Sequence, residues 1–117
     1  LAPEPEGLID AARFARMKPS ALLVNVGRGA ILAEDALYAG LKERRIRGAT
    51  LDVWYAYPRH DDLAVAPSKH DFFALDNVWM TPHTSAWTTG MVDRRWSEIA
   101  ANLDALARGA PLVHQLR

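Results

Sequence analysis

Apolar periodicity changes type several times along this chain, and a proline or glycine stands at nearly every change. That alternation marks strands interleaved with helices and restricts the fold class before any single residue is considered. Residues 21–26 form a Val/Leu-rich apolar run too short for a buried helix, which predicts a strand covered by helices on both faces of a parallel sheet. Residues 34–45 carry Ala36, Leu37 and Leu41 at helical spacing with charges opposite, and Gly48 then precedes a second apolar strand at 49–53. Strand, helix and strand within about thirty residues make a βαβ unit with a right-handed crossover. Local signals specify that helix poorly. Ala33 supplies no side-chain acceptor where an N-cap is worth about 1 kcal/mol, and Gly40 costs about as much again in the interior. Packing against the sheet has to hold it.

Upstream, Asp10 is placed to cap a short helix over 10–17 that Pro19 stops. Residues 54–76 contain two prolines, an Asp-rich patch and no sustained period, and a loop of that length is usually functional or disordered. A third strand at 78–81 ends at Pro82. Beyond it Thr88 or Thr89 can cap a long helix whose stripe of Val92, Trp96, Ile99, Leu103 and Leu106 is expected to be core, with Arg94, Arg95, Glu98 and Asp104 facing away. Gly109 and Pro111 terminate it.

Composition narrows the partners. Fourteen Lys plus Arg balance fourteen Asp plus Glu, so no net charge favours nucleic acid or a membrane surface, and neither is expected as a partner. Half the residues are hydrophobic, enough for one globular domain that hides roughly two-thirds of its unfolded surface. The absence of cysteine excludes disulfides, thiolate zinc sites and a cysteine nucleophile, and fits a reducing compartment. No apolar run approaches the roughly 18 residues of a membrane span and no signal peptide opens the chain, so a cytoplasmic location is expected. The chain opens on Leu1 in a turn-like Leu1-Ala2-Pro3-Glu4-Pro5, which reads as a chain cut at its front. His60, Asp61, Asp62, His70 and Asp71 match no closed metal-ligand spacing, and a solvated loop without a metal is expected there.

Polar residues fall at the carboxyl ends of all three strands: Asn25 and Arg28 after the first, Asp52 at the end of the second, His83 past the third. In an open parallel sheet that edge is where ligands bind. Gly27 and Gly29 flank Arg28, which suggests turn conformations closed to other residues and a guanidinium presented to a planar carboxylate; the plain alternative is a turn in which Arg28 merely snorkels. Asp52 can accept from a ligand amide or simply hydrogen-bond the next loop. His83, held behind Pro82, is of a residue type that exchanges protons near neutral pH.

Three segments in register, Asn25-Val26-Gly27-Arg28-Gly29, Gly48-Ala49-Thr50-Leu51-Asp52-Val53-Trp54 and Asn77-Val78-Trp79-Met80-Thr81-Pro82-His83, resemble the ordered signature of the NAD(P)-dependent D-2-hydroxyacid dehydrogenases. Leu1-Ala2-Pro3-Glu4, Gly7-Leu8-Ile9 and Met17-Lys18-Pro19 match as well, so the resemblance covers nearly the whole chain. It implies an α/β fold, a partial Rossmann-type parallel sheet of about three strands with flanking helices, forming the C-terminal half of a dinucleotide-binding domain. It further implies that Arg28 binds the substrate carboxylate and carbonyl and that His83 is the general acid/base. Asp52 would accept from the nicotinamide carboxamide of NAD or NADP, Val26 and Gly27 would offer backbone groups to the cofactor, and Pro3 would border its adenosine side. The partner so implied is a small 2-hydroxy or 2-keto acid, and the full-length parent is expected to be a homodimer.

The chain departs from that signature in places. Where most of the family has a Glu that pairs with the catalytic His, this sequence has Tyr57, and Thr84-Ser85-Ala86-Trp87 follows His83 where many relatives have a glycine soon after the His. Trp87 either closes the substrate pocket or packs the last helix. No G-x-G-x-x-G follows a strand, so the phosphate-binding turn and the separate substrate domain are missing, and the 117 residues alone are expected to bind NAD weakly without turnover. The first strand should keep an exposed apolar edge. Alternatives of another class are a non-catalytic module that senses dinucleotide and a structural remnant whose edge drives association.

Overall fold

The computed structural model describes residues 5–115, in two compact units that divide after Ser85. The first unit is the α/β part. Helix α1 (Ala11–Phe14) leads into strand β1 (Leu22–Asn25), helix α2 (Glu34–Lys42), strand β2 (Gly48–Leu51) and strand β3 (Val78–Met80). The strands make a parallel sheet in the order β1-β2-β3, with Leu23 opposite Ala49 and Ala49 opposite Val78. Helix-strand alternation in the sequence therefore does become a three-stranded parallel sheet.

Asp10 caps α1 as expected, its carboxylate accepting from the Arg13 backbone N–H at 2.9 Å, but the helix ends at Phe14 and turns carry residues 15–17. Phe14 decides its use. That ring is buried and stands 3.2 Å from where a Cβ on Gly40 would sit, so the glycine that weakens α2 locally lets α1 pack closely on it. Helix α2 has no side-chain cap at Ala33 and is held instead by the buried Leu37 and Leu41 on the sheet.

The sheet is covered on one face, not two. Ala49 and Leu51 are buried in the core with Leu37, Leu41, Ile46 and Phe72, whereas Leu22 and Val24, pointing the other way from β1, are 61% and 66% exposed, as is Trp79 of β3. The expectation that residues 21–26 are buried on both sides is corrected: among the described residues nothing of this unit covers the second face. Among the described residues β1 pairs with β2 alone, so its other edge keeps no strand neighbour, as expected.

Residues 54–76 are built rather than formless. A single 3-10 turn (Phe72–Ala74), capped by Asp71 through the Phe73 N–H, drives Phe72 fully into the core. Ser68 Oγ and the Lys69 N–H donate to Glu34, while Lys69 Nζ and His70 Nε2 lie 2.9 and 2.6 Å from the Asp35 carboxylate. Those hydrogen bonds, from Lys69 first and then His70, hold the Asp35 carboxyl below its usual range. The His70 ring stacks on Tyr38 at 4.4 Å. The loop is thus tied to the first turn of α2.

The second unit contains helix α3 (Met91–Ala107). Its N-cap is Gly90 in the left-handed region, not Thr88 or Thr89, with no side-chain cap. Gly109 at φ 63° ends it, and Asn102 ties the tail back by accepting from the Val113 N–H. The stripe expected to be core is exposed: Val92, Trp96, Ile99, Leu103 and Leu106 range from 40% to 65%. Helical periodicity reported the amphipathic face correctly; the described residues of its own unit supply no cover for it. Among them, no helix is long and apolar enough to cross a membrane.

Candidate active site

Parallel pairing puts the carboxyl ends of β1, β2 and β3 on one edge, and hydrogen bonds link what stands there. The Asn25 side chain donates to the Arg28 carbonyl at 2.9 Å and accepts from the Gly27 N–H at 3.2 Å, bending the chain just past β1. The Asn25 carbonyl accepts from the Asp52 N–H at 3.0 Å, continuing the sheet ladder to the next strand. Asp52 in turn reaches the residues after His83. Arg28, Asp52 and His83 therefore stand along one continuous edge.

Asp52 is 2% exposed. Its Oδ1 accepts from Thr81 Oγ1, the Thr84 N–H and the Ser85 N–H, and its Oδ2 from the Ser85 N–H and Ser85 Oγ. Burial alone raises such a carboxyl, but the hydrogen bonds from Ser85 and Thr81 and then from the Thr84 and Ser85 backbone outweigh it and hold the group well below the usual carboxylate range. It stays ionised. Of its two sequence readings, the hydrogen bond to a following loop is the one realised among the chain's own atoms.

His83 is exposed and adopts φ 60°, a left-handed conformation uncommon outside glycine and costing on the order of 1 kcal/mol or more. Tyr57 lies beside it, ring centroids 5.5 Å apart at a 43° tilt. The Tyr57 hydroxyl accepts from the Trp54 N–H at 2.9 Å, so the phenol meets the imidazole with its ring. Trp54 is buried, and its indole N–H donates to the Thr81 carbonyl at 3.0 Å, bracing β2's exit against β3's exit. A cavity of about 500 Å³ opens between Trp54, Tyr57, Pro67, Phe73, Met80 and Pro82, and the ring of Tyr57 in its wall is the one that meets His83.

Arg28 is exposed and donates from Nη1 to the Gly27 carbonyl at 2.9 Å. Neither flanking glycine is left-handed, which corrects the reason for the glycine pair. Gly29 is needed for space: a Cβ there would stand 2.5 Å from the Trp54 carbonyl carbon and closer still to its oxygen. Val26 and Gly27 are exposed at the same edge, and Pro3 lies outside the described residues. Trp87 is 76% exposed, in the second unit. Sequence reasoning passed over Thr81, Ser85 and the Trp54 indole; the close spacing of Thr81 and Ser85 around His83 was the available signal. Among the described residues no group of three or more metal-ligating side chains converges.

The chain is similar to known proteins. The D-isomer specific 2-hydroxyacid dehydrogenase NAD binding domain matches residues 1–85. Glyoxylate/hydroxypyruvate reductase A of Serratia proteamaculans is 36% identical over 107 residues, covering 92% of this chain and 31% of that protein. Glyoxylate reductase of Pyrococcus furiosus is 37% identical over 102 residues, covering 87% of this chain and 28% of that protein. The chain thus spans about a third or less of the curated relatives it matches. Among solved structures, a D-isomer specific 2-hydroxyacid dehydrogenase from Xanthobacter autotrophicus in complex with NADPH superposes with a TM-score of 0.78 at 32% identity, covering all of this chain and 45% of that one. D-lactate dehydrogenase of Lactobacillus jensenii with NAD+ gives 0.77 at 28% identity, covering all of this chain and 37% of that one. With its motifs in register, its parallel sheet and the family match over most of its length, this chain belongs to the D-isomer-specific 2-hydroxyacid dehydrogenases, in their NAD-binding domain.

Proposed function

We propose that this chain forms the C-terminal half of the dinucleotide-binding domain of an NAD(P)-dependent oxidoreductase that interconverts a D-2-hydroxy acid and a 2-keto acid. The observation that carries the reading is the hydrogen-bonded edge on which Arg28, Asp52 and His83 stand. The residues present suit the nicotinamide end of the cofactor: exposed Val26 and Gly27 backbone, an ionised Asp52 and an exposed imidazole. No glycine-rich phosphate turn is present in this sequence to hold the pyrophosphate.

In this reading Arg28 grips the substrate carboxylate with two parallel hydrogen bonds and polarises the adjacent carbonyl. His83 donates a proton to the oxygen of the 2-keto group during reduction and takes it back during oxidation, a contribution of about 10²–10⁴-fold. The dinucleotide, when bound, supplies or accepts the hydride at the carbon bearing that oxygen. Asp52 borders the nicotinamide carboxamide, which would share Oδ2 with Ser85. The 117 residues by themselves leave water in half a cleft and are expected to bind NADH weakly without turnover.

The test is NADH oxidation with glyoxylate or hydroxypyruvate by the intact polypeptide that carries this chain, beside its His83→Gln variant. The variant is expected to lose about 10²–10⁴-fold in kcat. An unimpaired variant refutes the role of His83, and turnover by the 117 residues alone refutes the half-cleft reading. Tyr57 favours a second reading, a non-catalytic dinucleotide sensor, because its phenol puts no carboxylate beside the imidazole. Dinucleotide binding by the intact protein with no turnover on any 2-keto acid would decide for it.

A further inference from the structure

The geometry points to Asp52 as the residue that positions His83, a role distinct from contact with a cofactor. The acid-base function of His83 rests on the proposed reaction; the way its backbone is held does not. Donors from both sides of His83 converge on this one carboxylate: Thr81 two residues before it, Thr84 and Ser85 one and two residues after. Closing both flanks on a single buried group forces the chain to double back at Pro82 and His83, and His83 is the residue that takes the left-handed φ of 60°. Two successive backbone N–H groups aimed at one anion form a nest, whose shape depends on the anion inside it.

The anchor is itself rigid. Asp52 follows directly on β2, the middle strand, and its N–H is fixed by the Asn25 carbonyl. Hydrogen bonds keep the carboxyl in its charged form, the stronger acceptor. The imidazole is steadied separately, by the Tyr57 ring at 5.5 Å. A side chain that must act within a few tenths of an ångström is best carried on such a preorganised turn.

The experiment is amide hydrogen exchange by NMR on the 117-residue chain, wild type against Asp52→Asn, which keeps the shape and removes the charge. Thr84 and Ser85 are expected to exchange at least about tenfold faster in the variant, because charge-assisted bonds to their N–H groups are lost. Ala49 and Thr81, whose N–H groups donate to the Asn77 and Leu51 carbonyls, should keep their rates. Unchanged Thr84 and Ser85 overturn the proposal, and so does a uniform acceleration of all four amides, which would make Asp52 a general stabiliser. Ser85→Ala and Thr81→Val, which each remove one hydroxyl donor and leave the carboxylate, should give the same local pattern at smaller size, also where Asp52→Asn fails to fold. In the intact polypeptide, Asp52→Asn should lower kcat by about tenfold or more while the KM for NADH moves much less. The reverse split reduces Asp52 to a cofactor contact and overturns the proposal. A protein without turnover that still shows the local exchange pattern counts against the dehydrogenase reading and leaves the positioning role standing.

Discussion

Gly29 carries a steric burden that Gly27 does not, and exchanging each for alanine measures it. At Gly29 a Cβ would stand 2.5 Å from the Trp54 carbonyl carbon and 3.0 Å from the Tyr55 nitrogen, all backbone atoms with no flexible side chain to swing aside. Ordinary carbon contacts lie near 3.5–4.0 Å, so the Arg28 turn and the exit of β2 must separate by about 1 Å. Overpacking of this kind costs about 1–3 kcal/mol. At Gly27 the nearest atoms would be the Asn25 Oδ1 and Ile31 Cδ1, both at 3.8 Å, which is ordinary contact. Both changes stiffen the unfolded chain equally, a gain of about 0.4–1 kcal/mol that cancels in the comparison. Gly29→Ala should therefore be about 1–3 kcal/mol less stable than Gly27→Ala in urea unfolding followed by tryptophan fluorescence. Of the four tryptophans Trp54 is buried while Trp79, Trp87 and Trp96 are already exposed, so the transfer of Trp54 to water dominates the change in signal. Equal stability of the two variants would refute the close-approach account of the motif.

Other outcomes follow from the same contacts. Asp52 has a native pKa held below its ordinary 3.8, so its stabilising contribution is complete above that value and is lost as pH falls through the lower native one. The chain should lose stability on acidification below about pH 4, and Asp52→Asn should flatten that limb in acid-unfolding curves; an unchanged limb would count against the ionised anchor. Phe72, fully buried between the Tyr38 and Trp54 rings, should cost about 3–5 kcal/mol as Phe72→Ala in the same urea assay. The Tyr55 hydroxyl is buried without a hydrogen-bond partner among the described residues, and burial pushes its ionisation far above the ordinary range. Removing it as Tyr55→Phe should leave stability unchanged or raise it by up to about 1 kcal/mol, and a clear loss would reveal a partner.

Local pattern alone located the three strands, the helix between the first two, the long terminal helix and the sheet edge that Arg28, Asp52 and His83 follow. Periodicity and punctuation are properties of a few consecutive residues, and strand direction in a βαβ unit carries their ends to one side. Other features lie beyond that reach. The donors that saturate Asp52 come from 29 to 33 residues away, and the loop over 54–76 is fastened to Glu34 and Asp35 across more than 30. Whether a carboxylate faces a ligand or its own chain depends on which segments fold back to meet it. The same holds for the glycine pair, where the conformation gave no reason and the approach of Trp54 did. Which apolar faces find cover is likewise decided in three dimensions: the stripe on α3 and the outer face of β1 read as core in sequence, yet neither is covered by the described residues of its own unit. Amphipathicity specifies that a face is apolar; only the arrangement of the other elements determines what, if anything, lies against it.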